Sequence, residues 1–478
     1  MIKYLPLKIY PSTKRTLIRP FVPGSTAQVE HILFRIFSTP PNEIENYLLE
    51  IYDQLNSADA RLKAIFTKHF EYVKDKIPAN LDISDLEKEL IGAYFTQQYA
   101  LESTAVFNPS VVPHPVQDKE GVLKIILSLR AIGEGHISSI IFMEGEIDGS
   151  LDLTLKSDKS TLIYEPDRIQ HSYEKKLFFK TAYELDLLNK MNKPVFDILG
   201  SVFEFSDLEN AINEVIKKNT ENNRANLEEA LNKLRLLAQS NFTLRFKTDS
   251  LVERAIFPAS PTQSNGLEDA RFVQFRNDDG SFIYYATFTA YDGKTVMPEM
   301  LETKDFCEFK ISTLNGPAAR NKGMALFPRK INGCYMMIGR QDNESLYIMK
   351  SDNPYFWYDS KPLIKPKYKW EHIQIGNSGS PIEIDEGWLV LTHGVGPIRT
   401  YSLGAILLDK DNPEKVIGRL EEPLVKPTKD EALGYVPNVV YTCGALAYGR
   451  SLFLPYAIGD IITRFAFVDI DQLLNHLK

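Results

Sequence analysis

Hydrophobic positions recur with a helical period through roughly the first hundred residues of the chain. Ile44, Leu48, Ile51 and Leu55 form one apolar stripe, and Leu62, Ile65, Phe66, His69 and Val73 form a second. "PANLDISDLEKELIGAYF" predicts a further helix, with Ser84 and Glu87 spaced as a capping box. His69 falls on the second stripe, where a packed helix residue accounts for it better than a ligand does. Residues 1–104 therefore read as an all-helical appendage.

From about residue 105 the period changes. "VLKIILSLRAI", "SSIIFMEGEIDGSL", "FIYYATFTAYDG", "CYMMIGR", "ESLYIMKS", "GWLVLTHGV", "YSLGAILLD" and "SLFLPYAIGD" are short runs rich in β-branched and aromatic residues, separated by Gly, Asp and Asn. Many short strands with such punctuation predict an all-β sandwich, barrel or propeller over 105–478. No strict repeat chooses among the three. One helical insertion interrupts the run, at about 206–238. Ser206 with Glu209, and Asn226 with Glu229, are spaced as N-caps with their acids, and the stripes Leu208, Ile212, Val215, Ile216 and Leu227, Leu231, Leu234 predict a helical hairpin.

Composition narrows the functional classes. The chain has 478 residues, 44% of them hydrophobic and 25% charged, as in ordinary globular proteins. A net charge of −8 argues against a nucleic-acid partner, which needs a basic face. Cys307, Cys334 and Cys443 are scattered and odd in number, so neither a disulfide framework nor a metal site is expected. No apolar stretch is long enough to cross a bilayer and no signal-peptide pattern opens the chain, so no membrane partner and a cytoplasmic location are expected.

Dinucleotide, P-loop, G-x-S-x-G and H-E-x-x-H patterns are all missing from the sequence. What stands out is a set of polar residues at the ends of β runs. They are Asn108 in "VFNPS", Arg130 and His136 in "LSLRAIGEGHISS", Glu268, Asp269 and Arg271 in "GLEDARF", and Lys322 in "GPAARNKGMALFPRKING". Arg340 in "MIGRQD", His393 and Tyr401 in "LTHGVGPIRTYSLG", and Asp460 in "AIGDI" complete the set. Each is weak alone, because strand ends lie in solvated loops. Together they fit an architecture that gathers strand ends around one pocket.

The order of these motifs resembles glycoside hydrolase family 130, the β-mannoside phosphorylases and β-mannosidases. "GLEDARF" is similar to the family's G-x-E-D-P-R, "NKGMALFPRKINGCYMMIGR" to N-[KR]-D-x-x-L-F-P-x-K-I-N-G-x-Y-x-x-x-x-R, and "GWLVLTHGV" to G-W-L-L-x-Y-H-G-V. "YSLGAILLDKDNPEKVIGR" and "VPNVVYTCGAL" continue the match, which runs from "AVFNPS" to the last residue and leaves the N-terminal helices outside. The resemblance implies a five-bladed β-propeller and inverting attack on a β-mannosidic bond at the non-reducing end. It implies Asp269 as general acid, and Asn108, Arg130, Arg271 and Asp460 as holders of the terminal mannose, with His136 and Glu268 beside them.

The general acid must keep a proton near neutral pH, because a glycosidic oxygen leaves poorly unless protonated. Glu268 and desolvation would raise the Asp269 pKa, and Arg271 would lower it. Strand alternation would send Glu268 and Asp269 to opposite faces, so only one is expected in the pocket.

Phosphorylases of this family gather Arg, Lys and His around phosphate. The chain keeps Lys322, Arg340 and His393 at matching positions, with Tyr401 nearby. It has Gln374 where a lysine is expected and Glu383 where a second lysine often stands. Losing those charges weakens a phosphate site, and Glu383 becomes a candidate base for water. The sequence thus leans toward an exo-acting β-mannosidase on short β-1,2-linked manno-oligosaccharides. Phosphorolysis to α-mannose 1-phosphate is the alternative, and a non-catalytic sugar-binding propeller a second one. No cofactor or metal is expected, only inorganic phosphate as co-substrate if phosphorolysis holds. A homo-oligomer is left open.

Overall fold

The computed structural model describes residues 1–55, 60–156, 162–219 and 224–478. Contacts divide the chain into two compact units, one of residues 1–13, 101–160 and 165–478, the other of 14–100 with a short piece near residue 162.

The larger unit is mostly antiparallel sheet, in five successive groups of strands. The first holds Ala105–Pro113, Leu123–Ile132, Ser138–Ile147 and Leu153–Leu155, and the second Gly266–Arg276, Phe282–Tyr291, Val296–Thr303 and Glu308–Thr313. Ala325–Leu326, Tyr335–Gly339, Leu346–Ser351 and Ser360–Ile364 make the third, and Gln374–Asn377, Gly387–Gly396, Thr400–Leu408 and Val416–Arg419 the fourth. The fifth joins Val440–Tyr441, Ser451–Ile458 and Ile462–Asp469 to Ile2–Ile9. The β-rich runs of the sequence are thus strands, and several of them, Ala105–Pro113 and Gly387–Gly396 among them, are buried almost along their whole length, as their near-continuous apolar runs allow.

Apolar side chains fill the space between consecutive groups. Phe142 of the first packs with Phe272 and Phe309 of the second. Val273 and Phe275 share a cluster with Met337, and Phe327 and Ile338 share one with Trp388 and Val390. Leu391 and Leu403 pack with Leu454 and Val468. The fifth group also meets the first, because Ala457 joins Ala105, Phe107 and Ile132. Backbone bonds fasten that junction: the Val106 N–H donates to the Ile461 carbonyl at 2.9 Å, and the Cys443 N–H to the Pro109 carbonyl at 2.8 Å.

Two expectations change. The N-terminal stretch is not all-helical, since Ile2–Ile9 pairs with Ile462–Asp469. Pro6 is tolerated in "IKYLPLKI" because an edge strand with a register break spares its missing N–H. The insertion is also larger than a hairpin. Helices Lys175–Glu184 and Pro194–Ile198 precede Phe205–Lys218 and Arg224–Gln239, and all four share a core that includes Phe178, Val195, Leu208, Ile212, Leu231 and Leu234. The first cap lies at Glu204 with Asp207, two residues before Ser206, and Asn226 lies inside the last helix.

In the smaller unit the predicted stripes face the interior, with Ile44, Leu48, Leu62, Phe66 and Val73 buried and Ile51, Leu55 and Ile65 half-buried. Val29, Leu33, Ile44, Leu48, Val73 and Leu90 form its core, and Ser84 with Glu87 makes the expected capping box. Strands Ser12–Pro20, Thr96–Glu102 and Leu162–Tyr164 pair in a small sheet. His69 is buried, its Nδ1 2.7 Å from Thr96 Oγ1, and burial lowers its pKa to about 4. It is a neutral core histidine.

Candidate active site

The first strand of the first group and the first strand of the second carry register breaks at equivalent places. One lies between Phe107 and Ser110, the other between Glu268 and Arg271. Asn108 (φ 49°) and Asp269 (φ 56°) take the left-handed conformation there. Asn and Asp accept that conformation more readily than other side-chain-bearing residues. A bulge adds a residue and re-aims the side chains on either side of it.

The consequence overturns the alternation argument. Both Glu268 and Asp269 reach the same guanidinium, with Arg130 Nη2 donating to Glu268 Oε1 at 2.9 Å and Arg130 Nη1 to Asp269 Oδ1 at 3.3 Å. Asn108 Nδ2 donates to the same Asp269 oxygen at 2.7 Å. Lys322 pairs with the other Glu268 oxygen. Arg271, 2% exposed, donates to the Asp269 carbonyl at 2.8 Å, to the Ser378 carbonyl at 3.0 Å and to the Tyr441 hydroxyl at 2.8 Å. Four residues, Asn108, Arg130, Arg271 and Lys322, thus converge on Glu268 and Asp269.

A second cluster adjoins this one through the aromatic rings. Arg340 Nη1 lies 3.2 Å from His393 Nε2, and the Gln374 amide 3.3 Å from the same nitrogen. The His393 ring is 4.9 Å from Tyr441 and stacks on Tyr401 at 6.1 Å. Burial first, then Arg340 and Arg271, lowers the His393 pKa far below its ordinary value, so the imidazole is neutral. His393, expected as a basic group, therefore adds no charge.

The carboxyl groups separate in their protonation. Burial pushes Asp269 upward, but Arg130, Arg271, the Asn108 hydrogen bond and Lys322 outweigh it and hold the group below its ordinary value. This reverses the expectation of a raised Asp269. Asp460 goes the other way: burial, then the Asp269 charge, raise it to about 7 against Arg130 and Arg399. Unpartnered buried polar atoms concentrate in this region among the described residues, including Asn108 Oδ1, Arg130 Nε, Arg340 Nε, Asn377 Nδ2, Ser378 Oγ and Asp460 Oδ1. Buried polar atoms are costly unless something bonds them, so this is where a polar ligand gains most.

Glu383 stays apart from both clusters. It makes a two-pronged ion pair with Arg329, at 2.8 and 2.9 Å, and lies 3.9 Å from Lys410. Arg329 chiefly holds its pKa down. A carboxylate engaged in this way is neither a free base nor an uncompensated charge beside the cations, which corrects the expectation for it. His136 lies at the exposed edge, 3.3 Å from the Tyr435 hydroxyl.

Tyr441 and Ser378 hold Arg271, yet the sequence assigned them no role. Tyr441 falls within the quoted "VPNVVYTCG", but a tyrosine there carries no chemical signature until its partner is known.

Comparison with known proteins identifies the family. The family model described as beta-1,4-mannooligosaccharide phosphorylase matches residues 224–478. A 1,2-beta-oligomannan phosphorylase from Thermoanaerobacter sp. is 35% identical over 216 residues, 44% of this chain and 70% of the relative. A beta-1,2-mannobiose phosphorylase from Listeria innocua is 31% identical over 231 residues, 47% of this chain and 63% of the relative. A solved structure of a beta-1,2-mannobiose phosphorylase from Listeria innocua in complex with beta-1,2-mannobiose superposes with a TM-score of 0.47 at 22% identity, over 79% of this chain and 93% of that one. The chain belongs to glycoside hydrolase family 130 and is an enzyme acting on glycosides.

Proposed function

We propose that the five strand groups are the blades of a β-propeller and that the enzyme phosphorolyses β-1,2-linked manno-oligosaccharides from the non-reducing end. Sequential packing between groups, with the fifth returning to the first, supports the ring. The leading strands of the first and second groups would then bring Asn108 and Asp269 to the central pocket.

The observation that carries phosphorolysis is the charge of the site. Arg130, Arg271 and Lys322 face the carboxylates Glu268 and Asp269, Arg340 stands in the adjoining cluster beside His393, and near neutral pH Asp460 is partly protonated. The excess of positive charge suits a phosphate dianion. Glu383, neutralised by Arg329, neither repels that dianion nor serves water as a base. Two of the relatives just named act on β-1,2-linked substrates, which supports the linkage.

In this reading phosphate oxygen attacks the anomeric carbon as the C1–O bond to the rest of the chain breaks, in one inverting displacement. The leaving oxygen takes a proton passed on by Asp269. Arg130, Arg271, Asn108 and Lys322 hold Asp269 ionised, so its protonation accompanies sugar binding, which displaces water and strengthens the upward push of burial. The proton of hydrogen phosphate balances the one that leaves with the sugar.

Gln374 favours a second reading, hydrolysis, because a neutral amide stands beside Arg340 and His393. Incubation with β-1,2-mannobiose separates the two. Phosphorolysis requires phosphate and yields α-mannose 1-phosphate and mannose. Equal turnover without phosphate, giving two mannose molecules, would establish the hydrolase instead.

A further inference from the structure

Two loops beside Asp460 present apolar side chains to solvent. Ile398 is 86% exposed and Leu433 81%, the two highest values among the large apolar side chains described. Ile398 also has φ 57° and Arg399 φ 54°. A β-branched residue in the left-handed region is strained, and such strain persists where the surroundings hold it. Nothing in the packing of the fold rewards an isoleucine held there pointing outward.

Both loops are tied to the reacting centre. The Tyr401 N–H donates to the Asn438 carbonyl at 2.9 Å, and the Val436 N–H to the Gly459 carbonyl at 2.9 Å, one residue from Asp460. A Cβ on Gly434 would lie 2.5 Å from Gly459 Cα, so this loop rests directly on the Asp460 turn. The Arg399 guanidinium stands 5.9 Å from the centre of the Tyr401 ring, and Tyr401 stacks on His393. Across from them Tyr435, 46% exposed, stacks on His136 with centroids 6.0 Å apart. His136 is two residues from Ser138, whose Oγ donates to the Leu267 carbonyl beside Glu268 at 2.9 Å.

We infer that Ile398, Leu433 and the Tyr435–His136 pair form a distal subsite that holds the third and later sugars of the chain, so that the enzyme prefers chains to disaccharides. This rests on the reading of the centre as a manno-oligosaccharide site. A sugar ring is apolar on its CH faces and polar at its edge, which suits apolar side chains and an amphipathic tyrosine. Continuity with Asp460 selects the occupant: a chain whose terminal mannose fills the centre has to leave past these loops.

The test compares kcat/KM for β-1,2-mannobiose and β-1,2-mannotetraose in the wild type, Ile398→Ser, Leu433→Ser and Tyr435→Ala. The wild type should prefer the tetraose, and each variant should lose about tenfold of that preference. Turnover of mannobiose and the KM for phosphate should stay within about twofold. Equal rates on both substrates in the wild type would overturn the inference. So would variants that keep the wild-type ratio, or that change the oligomeric state while keeping it. Product analysis in the same assays keeps the two ideas apart, since mannose released without phosphate defeats phosphorolysis while the length ratio still tests the subsite.

Discussion

At the scale of single residues, Asp269 is the group whose chemistry can be removed with the least change of shape. Asp269→Asn keeps an oxygen to accept from Asn108 and Arg130 but cannot pass a proton. Turnover of β-1,2-mannobiose should fall by at least about a hundredfold, the usual scale for a lost general acid. Sugar binding measured by calorimetry should be largely kept. Near-wild-type turnover would remove Asp269 from the mechanism and leave Glu268, held by the same arginine, as the next group to replace. Glu383→Gln separates a base from a structural ion pair. It loses part of a half-exposed pairing with Arg329, so stability should fall by only about 1 kcal/mol, and turnover should stay within about twofold. A large loss of rate at unchanged stability would restore Glu383 as a base.

Elements decide where those residues point, and here the sequence was only partly legible. The strands announced themselves through β-branched and aromatic runs, and the Ser84 cap through its spacing. Asn108, Arg130, Asp269, Arg271 and Lys322 are polar residues at strand ends, and the structure gathers them. The bulges leave no periodic trace in the sequence, although Asn108 precedes a proline, a common mark of a turn. Strict alternation therefore placed Glu268 and Asp269 on opposite faces. Glu383 was misplaced because a motif position gives no partner, and Arg329 lies 54 residues away in sequence. Gly266 tests the element that carries the site. At φ 130° its missing Cβ would stand 2.3 Å from Ser138 Oγ and 2.9 Å from Ser138 N, on the parallel contact between the first two strand groups. Gly266→Ala should force that contact apart at a cost of roughly 1–3 kcal/mol. Because Glu268 and Asp269 follow two and three residues later, activity should drop more than the lowered melting temperature explains. Unchanged stability and rate would show that the contact is dispensable.

For the whole molecule, one buried carboxyl links stability to pH. Glu299 is fully buried, with no cation beside it among the described residues. It accepts from Thr262 Oγ1 at 2.9 Å and from Gln263 Nε2 at 2.7 Å. Burial raises its pKa from 4.5 to about 7, and the two hydrogen bonds offset only part of that rise. In the folded state the proton is held more tightly than in the unfolded chain. Its contribution to stability is therefore complete below about pH 4.5 and is lost as pH rises through about 7. A shift of this size corresponds to an effect on the order of 3 kcal/mol across that window. Asp460, also raised to about 7, adds to the same trend, while His69, lowered to about 4, opposes it as the pH falls. Comparison of single variants isolates the Glu299 share. Glu299→Gln imitates the protonated acid: its oxygen accepts from Gln263 and its nitrogen donates to Thr262. Urea unfolding at pH 5 should find the variant close to the wild type, and at pH 8 the variant should be more stable. A difference between the two proteins that stays constant from pH 5 to pH 8 would mean that Glu299 does not titrate in this range and that its neighbours hold it in one state throughout.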